Sequence, residues 1–336
     1  MRLLIPTIAA AVAIASPAWA QNIPEARPVA ASASTQKGFD VAVADYAKAL
    51  GGGKIGFAAR HLESGQQVSV NGSEMFPMAS TFKVAVAVKV LSRVDKGEIT
   101  LDQLVPVADA NINESGPVAP GIFHPGIQLS VANLIEVMII QSNNTATDIM
   151  TALAGGPDAV TANLRALGIK DQNVNADTKT LLKKFYKLPA DVPLREGLRA
   201  ARASGAAIPA SNLPRADFDA DPNDSSTPLA MIDLLAKIWS GKILSAKSTE
   251  FLLGVMSRTT TGDKRLKGLL PADTPVAHKT GTLGGTINDV GVITLPGGRG
   301  HVAISVYTKG STTSNDAREK AVAEVARSAY DYFMFR

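Results

Sequence analysis

The sequence has 336 residues, of which 46% are hydrophobic and 19% are charged, with no cysteine and a formal net charge of +4. A chain of this length can bury a core in one large domain or in two lobes. The absence of cysteine excludes disulfides and thiol chemistry. The small net charge and the lack of a basic stripe with interleaved aromatics argue against nucleic acid as a partner.

The first twenty residues have the composition of an export signal. Arg2 supplies a positive charge, an apolar run extends to Ile14, and Ala18-Trp19-Ala20 matches a small-residue cleavage pattern. We expect cleavage after Ala20, export to the periplasm and no membrane anchor, because no segment reaches spanning length. Residues 21–37 are rich in Pro, Ala and Ser and are predicted to form a flexible lead-in.

The hydrophobic period then changes along the chain. A helix is predicted for residues 39–50 and a β-hairpin for residues 55–62 and 67–70. The middle of the chain is helical, with predicted helices at residues 84–94, 130–140, 145–153, 157–167, 227–239 and 248–256. The period of two returns in predicted strands at residues 276–278, 287–295 and 301–308, and a final helix is predicted for residues 316–335.

This order predicts an α+β fold with two lobes in one domain, residues 38–336. An α/β lobe, made of residues 38–75 and 257–336, has an antiparallel sheet flanked by helices. An all-helical lobe, residues 76–256, is inserted into it. Residues 168–226 have no clear period and are predicted to be a long inserted loop, of the kind that often has a function.

A serine and a lysine stand three residues apart at the start of an apolar helical pattern. Ser80 and Lys83 would share one face of a helix. A lysine can take the proton of a serine when burial or nearby positive charge lowers its pKa. Taken alone, the pattern is more typical of a serine that caps a helix and is followed by an exposed lysine.

Three further groups follow in the sequence. Ser142-Asn143-Asn144 ends an apolar helical pattern, Arg265 lies farther along, and Lys279-Thr280-Gly281 with Thr282 falls on a predicted strand. Each has a structural alternative: a helix cap, a surface charge, an exposed strand lysine or a glycine at a bulge. The four histidines have no metal-ligand spacing, and we expect neither a metal nor a cofactor.

Together with Ser80 and Lys83, these groups resemble the Ser-x-x-Lys, Ser-Asp-Asn and Lys-Thr-Gly boxes of class A serine β-lactamases and penicillin-binding proteins. Residues 116–118, 144–146 and 227–231 also look like class A segments. The resemblance implies a fold of the serine β-lactamase and D-Ala-D-Ala peptidase type. The expected partner is a β-lactam or a peptidoglycan stem peptide, and we expect a monomer.

The resemblance also implies roles for single residues. Ser80 would be the acylated nucleophile, Lys83 a candidate base, and Ser142 the group that passes the proton to the leaving nitrogen. Asn144 would hold the amide of the substrate side chain, and the backbone N–H groups of Ser80 and Thr282 would form the oxyanion hole. The substrate carboxylate would be bound in the region of Lys279, Thr280, Gly281, Thr282 and Arg265.

The sequence departs from the family at one functional point. Class A enzymes carry a glutamate on the loop after the second box, where it activates the water that cleaves the acyl-enzyme. The matching place here falls near Asp177, with no glutamate in the pattern. Asp177 is the candidate replacement, with Asp191 and Glu196 as alternatives, and Asp224 matches the structural aspartate of that loop.

Three functions are compatible with these observations. The first is an exported class A-like serine β-lactamase. The second is a penicillin-binding D-Ala-D-Ala carboxypeptidase-like acyltransferase that deacylates slowly, because loss of a general base costs about 10²- to 10⁴-fold in rate. The third is a non-catalytic sensor, which the presence of both Lys83 and Ser142 disfavours. We favour the first.

Overall fold

A computed structural model describes residues 25–108, 112–113 and 126–335. The predicted signal peptide and residues 116–118 lie outside the described residues. The described helices are α1 (Ala33–Ala47), α2 (Lys83–Asp95), α3 (Val131–Ile140), α4 (Asn144–Leu153), α5 (Pro157–Ala166), α6 (Thr178–Tyr186), α7 (Leu194–Ala203), α8 (Ala216–Asp219), α9 (Pro228–Trp239), α10 (Ala246–Ser257) and α11 (Asn315–Met334).

Strands occur at both ends of the described chain and at a few short sites between them. They are β1 (Val29–Ala30), β2 (Lys54–His61), β3 (Gln66–Val70), β4 (Phe76–Pro77), β5 (Leu104–Pro106), β6 (Gln128–Ser130), β7 (Ser225–Ser226), β8 (Val276–Leu283), β9 (Thr286–Thr294) and β10 (His301–Lys309). Within the described residues, the main sheet has the order β1-β3-β2-β10-β9-β8. Its pairs are antiparallel except β1 with β3.

Both faces of the sheet are covered by helices. On one face, side chains of α1 and α11 such as Phe39 and Val325 pack against sheet residues such as Phe57 and Ile304. On the other face, α2 and α9 pack against sheet residues that include Val292. Alternating side chains of a strand point to opposite faces, so in a strand covered on both sides, such as β10, both sets of side chains are mainly apolar. The predicted fold class, an antiparallel sheet flanked by helices, is confirmed.

The turn that contains Ser80 continues into a helix at the centre of the molecule. Residues Val84, Val86 and Leu91 of α2 are fully buried, and α2 packs against α4 and α5. A helix that is apolar on nearly all sides has no face for solvent, so burial follows from its sequence. Among the described residues, no helix combines the length and hydropathy needed to cross a bilayer.

Residues 21–37 were predicted to form a flexible lead-in, but the structure shows regular secondary structure in part of this segment. Val29 and Ala30 pair in parallel with Gln66 and Gln67 at the edge of the sheet, and α1 begins at Ala33. Ser32 caps this helix by accepting a hydrogen bond from the Thr35 amide. The edge strand offers unpaired backbone groups, which gives a short Pro- and Ala-rich segment a regular conformation.

The inserted loop predicted for residues 168–226 also differs, because it contains α6, α7 and α8. Leu181, Leu182 and Phe185 of α6 pack with Leu194 and Leu198 of α7 in a separate small core. These helices are short and are separated by segments that contain Pro and Gly, so their periodicity is weak in the sequence. The insertion therefore has a folded core of its own.

Candidate active site

Ser80 lies in a 3-10 turn, Ala79–Phe82, that leads directly into α2. Ala79 has a positive φ of 44°, which is costly for a residue with a Cβ. The buried Asn288 of β9 holds the chain before this residue, because its Nδ2 donates to the carbonyls of Pro77 (2.8 Å) and Met78 (3.1 Å). The conformation that presents Ser80 is thus fixed by a residue from the far end of the chain.

Strand β8 approaches the nucleophile turn very closely at Gly281. A Cβ on this residue would lie 2.6 Å from the Met78 carbonyl oxygen and 3.2 Å from the Ser80 nitrogen. Both neighbours are backbone atoms that have little freedom to move, so glycine is required here. The close approach brings the backbone of β8 at Gly281 beside the Ser80 N–H.

Lys83 is the first residue of α2 and its side chain is fully buried. Its Nζ donates to the Ser142 carbonyl (2.7 Å), to Asn144 Oδ1 (2.8 Å) and to Ser142 Oγ (3.3 Å). Burial lowers the pKa of Lys83 to about 7, although the charge of Asp148 opposes this shift. A large share of Lys83 is therefore neutral at neutral pH and able to accept a proton.

In the segment Ser142-Asn143-Asn144, the middle residue begins helix α4. Asn143, rather than Ser142 or Asn144, is the N-cap of α4, because its side chain accepts from the Ala146 amide at 2.8 Å. Ser142 has a positive φ of 56°. Asn143 makes the cap, and its two neighbours Ser142 and Asn144 line the cavity.

Lys279 of β8 reaches the same serine from the opposite side. Its Nζ donates to Ser142 Oγ at 2.9 Å and to the Thr280 carbonyl at 2.8 Å, and its side chain is fully buried. Burial, with the positive charge of Lys83, holds the pKa of Lys279 well below its usual value, and Asp289 opposes the shift. Since both lysines donate to Ser142 Oγ, that hydroxyl can direct its own hydrogen elsewhere.

Arg265 is buried behind β8 and is not a surface charge. Its Nη2 donates to Thr282 Oγ1 (2.7 Å), and its Nη1 donates to the carbonyls of Gly281 and Asn288 (both 3.1 Å). Its Nε donates to Glu319 Oε1 of α11 at 3.0 Å. Most donors of the guanidinium are thus occupied, and Arg265 both orients the Thr282 hydroxyl and fixes the strand.

These residues line a cavity of about 390 Å³. Its lining consists of Ser80, Ser142, Asn144, Leu182, Tyr186, Ser211, Thr261, Arg265, Thr280, Thr282 and Leu283. The hydroxyls of Thr261 and Thr280 are 2.6 Å apart. The structure therefore brings the residues of all three boxes to one place, and none of the described residues that line it is an acid.

None of the three acids considered for deacylation is among the described residues that line this cavity. Asp177 is the N-cap of α6, where its Oδ1 accepts from the Thr180 amide at 2.9 Å, and it pairs with Lys179 at 3.4 Å. Asp191 and Glu196 line a separate cavity beside α7. The structure does not bring any of the three to the wall of the Ser80 cavity. Short polar side chains before a helix commonly serve as caps, which explains the position of Asp177.

Asp224 occupies a structural position in the same region. It has a positive φ of 54°, and its Oδ1 accepts from the amides of Asn175 (2.8 Å) and Ala176 (3.0 Å). Burial raises its pKa to about 6. These bonds fix the chain immediately before α6, in agreement with the structural role that the resemblance implies.

Sequence reasoning did not find Asp148, a buried acid on α4. Its carboxylate accepts from the amides of Thr178 (2.6 Å) and Lys179 (3.2 Å), and from Asn113 Nδ2 (2.8 Å). Burial and then the charge of Asp177 raise its pKa to about 6. Asp148 ties α6 to the helix that carries Asn144. Its sequence signal is weak, because an acid inside an amphipathic helix normally faces solvent.

The comparisons with known proteins agree with this geometry. The model of the beta-lactamase enzyme family matches residues 39–333. Beta-lactamase VEB-1 of Pseudomonas aeruginosa is 30% identical over 291 residues, which cover 84% of this chain and 86% of that protein. The carbapenem-hydrolyzing beta-lactamase KPC of Klebsiella oxytoca is 29% identical over 283 residues, covering 83% and 84%.

Solved structures give the same result. The crystal structure of TLA-3 extended-spectrum beta-lactamase superposes with a TM-score of 0.73 at 30% identity, covering 89% of this chain and 99% of that chain. A beta-lactamase from Chitinophaga pinensis gives a TM-score of 0.71 at 31% identity, covering 88% and 99%. With the three boxes assembled around one cavity, the chain belongs to the class A serine β-lactamase family and is a hydrolase that acts on β-lactams.

Proposed function

We propose that the chain hydrolyses the β-lactam amide through an acyl-enzyme on Ser80, and that it does so in the periplasm after removal of its signal peptide. The observation that carries the mechanism is the position of Ser142 Oγ, which accepts hydrogen bonds from the two buried lysines Lys83 and Lys279. This arrangement gives the site a neutral amine beside a proton-relaying hydroxyl.

In the acylation step, neutral Lys83 takes the proton of the Ser80 hydroxyl as Oγ attacks the β-lactam carbonyl carbon. The N–H groups of Ser80 and Thr282 stabilise the oxyanion. When the C–N bond breaks, the Ser142 hydroxyl gives its proton to the leaving nitrogen and regains one from Lys83. The step leaves an ester on Ser80, an opened ring and a neutral Lys83.

The polar end of the cavity suits an anionic substrate. The amine of Lys279 and the hydroxyls of Thr280 and Thr282 supply hydrogen-bond donors for the carboxylate. Arg265 donates to Thr282 Oγ1 and so directs the hydrogen of that hydroxyl toward the ligand. Asn144 is fixed by Lys83 at its Oδ1, and we assign its amide group to the side-chain amide of the substrate.

For deacylation we assign the base to Lys83 as well. Neutral Lys83 takes a proton from water as the water oxygen attacks the ester carbonyl. The bond to Ser80 Oγ then breaks, and Lys83 returns the proton to that oxygen. This assignment rests on the Nζ position beside Ser142 and on the absence of an acid among the described residues that line the cavity. The same absence favours a second candidate, a penicillin-binding peptidase that keeps its acyl group.

Hydrolysis of a chromogenic cephalosporin tests the nucleophile. Ser80→Ala should lose at least about 10³-fold in kcat/KM, since removing a nucleophile removes the covalent route. Ser69→Ala is the matched control, because Ser69 is a half-buried serine on β3, far along the sheet from β8. Full activity in Ser80→Ala would exclude Ser80 as the nucleophile.

Asp177→Asn separates the two candidate bases, because asparagine caps a helix about as well as aspartate. With Lys83 as the base, this variant should keep its kcat and show no accumulated adduct. A fall of about 10²-fold or more, with an adduct that accumulates, would assign deacylation to Asp177. Export is tested by cell fractionation and by N-terminal sequencing, which should begin at Gln21.

A further inference from the structure

A second cavity lies in the inserted segment, residues 168–226. Its volume is about 530 Å³, and it is formed largely by α6, by the loop before α7 and by α7 itself. It shares no lining residue with the Ser80 cavity. Four of the described side chains that line it are cations and two are acids, namely Lys179, Lys183, Arg195, Arg199, Asp191 and Glu196.

The four cations form two pairs, each on one face of a helix. Lys179 and Lys183 stand four residues apart on α6, and Arg195 and Arg199 stand four residues apart on α7. The two helices pack against each other through the small core around Phe185. Their positive faces therefore meet at the same cavity.

The surroundings of these cations compensate only part of their charge. Lys179 Nζ lies 3.4 Å from Asp177 Oδ2. Lys183 Nζ donates to the Ala190 carbonyl at 2.6 Å, which supplies a hydrogen bond but no countercharge. Across the residues that the structure describes, the Arg199 side chain has neither an ion pair nor a hydrogen bond. Arg199 is thus able to donate to a ligand in the cavity.

The two acids of the cavity do not cancel the remaining charge. Asp191 and Glu196 are both exposed, and no described ion pair involves either of them. Like charges four residues apart destabilise a helix. Lys179, Lys183 and Arg195 are only partly exposed, so solvent and salt screen their repulsion less than on an open surface. An anion bound in the cavity offsets this repulsion.

We propose that this cavity is a binding site for a phosphate-bearing ligand, either a soluble phosphorylated molecule or a phosphorylated headgroup, held by the two cation pairs. A phosphate monoester carries about two negative charges at neutral pH, which matches the excess of cations over acids. The guanidinium of Arg199 can donate two parallel hydrogen bonds to phosphate oxygens, and the lysines add point charges. The site does not depend on β-lactam hydrolysis.

The test is isothermal titration calorimetry of the mature protein with inorganic pyrophosphate. Binding should show one site per chain and should weaken as NaCl is raised from about 0.05 M to about 0.2 M, since salt screens partly exposed charges. Arg199→Gln and Lys183→Gln should each raise Kd about three- to tenfold, because each removes a charge-assisted hydrogen bond.

Arg202→Gln is the matched control. Arg202 is an exposed arginine on the same helix that does not line the cavity, and its replacement changes the net charge by the same amount. Its Kd should stay within about twofold of the wild-type value, because a distant exposed charge is screened. Equal melting temperatures would show that all variants are folded.

Two results would overturn the proposal. No binding at about 1 mM pyrophosphate would exclude the site. Binding that Arg199→Gln leaves unchanged, or that Arg202→Gln weakens equally, would place the anion elsewhere, for example in the Ser80 cavity.

Flotation with phosphatidylcholine vesicles, with and without phosphatidic acid, separates the two sources of the phosphate. Binding to the phosphatidic acid vesicles that Arg199→Gln weakens would identify a headgroup. Binding to pyrophosphate alone, or vesicle binding that Arg199→Gln leaves unchanged, would identify a soluble phosphorylated ligand.

Discussion

The pH dependence of acylation is a direct consequence of the burial of Lys83. Burial lowers the pKa of Lys83 to about 7, and only the neutral amine can take the Ser80 proton. With that pKa, the neutral fraction is about 1% at about pH 5 and about 90% at about pH 8. The acylation constant should therefore rise about 90-fold between these two values, with a midpoint near 7.

Asp148 offers a way to move this midpoint. Its negative charge raises the pKa of Lys83, so Asp148→Asn should shift the midpoint to lower pH. Asp233→Asn is the matched control. Asp233 is a partly exposed carboxylate that pairs with Arg60 on β2, and its removal should leave the midpoint in place.

The assay is stopped-flow acylation by a chromogenic cephalosporin at constant ionic strength, from about pH 5 to about pH 9. Because kcat/KM reports the pKa values of the free enzyme, the profile can be compared directly with the environment of Lys83. A profile that is flat, or that falls as the pH rises from about 5 to about 8, would refute Lys83 as the acylation base.

Three other predictions follow from buried contacts. Gly281→Ala should lower the free energy of unfolding by about 1 to 3 kcal/mol and abolish most of the acylation rate, because its Cβ would meet backbone atoms. Gly254→Ala on α10 is the control, because open space surrounds that position, and it should stabilise the protein by about 0.5 to 1 kcal/mol. Urea unfolding measures both effects. Arg318→Lys replaces the planar guanidinium, which donates to the carbonyls of Gly284, Asn212 and Ser311. It should lower the free energy of unfolding by about 1 to 3 kcal/mol, because these buried carbonyls lose hydrogen-bond donors. Unchanged stability would show that other donors replace these bonds. Since the folded-state pKa of Lys83 is lowered to about 7 from 10.5, the unfolded chain binds more protons between those values and stability should rise with pH there. Lys83→Met should reduce that slope in urea titrations without abolishing it, because the pKa of Lys279 is lowered as well.

The grouping of the site residues was predictable from the sequence because they stand in short boxes. Ser80 and Lys83 are joined by one turn of chain, and the Lys279 box lies on one strand, so spacing alone puts each pair together. The alternative reading of Ser142 and Asn144 as a cap pair could be rejected only in the structure, where Asn143 makes the cap.

The residues that hold the site residues in position were not predictable in the same way. Glu319, Arg318 and Asp148 act through partners that are far away in the sequence, such as Arg265, which is paired with Glu319. A single sequence contains no signal for such long-range pairs, because acids and arginines on helices usually face solvent. Their roles depend on tertiary packing that no local pattern encodes.

The helices within residues 168–226 could not be predicted from the sequence either, because their stability depends on packing. Its helices are stabilised by a small shared core around Phe185 and by contacts to Ala79 and Leu283. Local propensity is a weak guide for helices of about ten residues, since most of their stability comes from tertiary contacts. The position of Asp177 as the N-cap of α6 likewise could not be inferred from its place in the sequence.

The most direct test of the proposed chemistry is an intact-mass time course of the mature protein mixed with a few equivalents of benzylpenicillin, followed by peptide mapping. We predict one adduct, located on Ser80, that forms and then clears as the penicillin is consumed. An adduct on another residue would contradict the assignment of the nucleophile. An adduct on Ser80 that persists would contradict hydrolysis and identify a penicillin-binding acyltransferase.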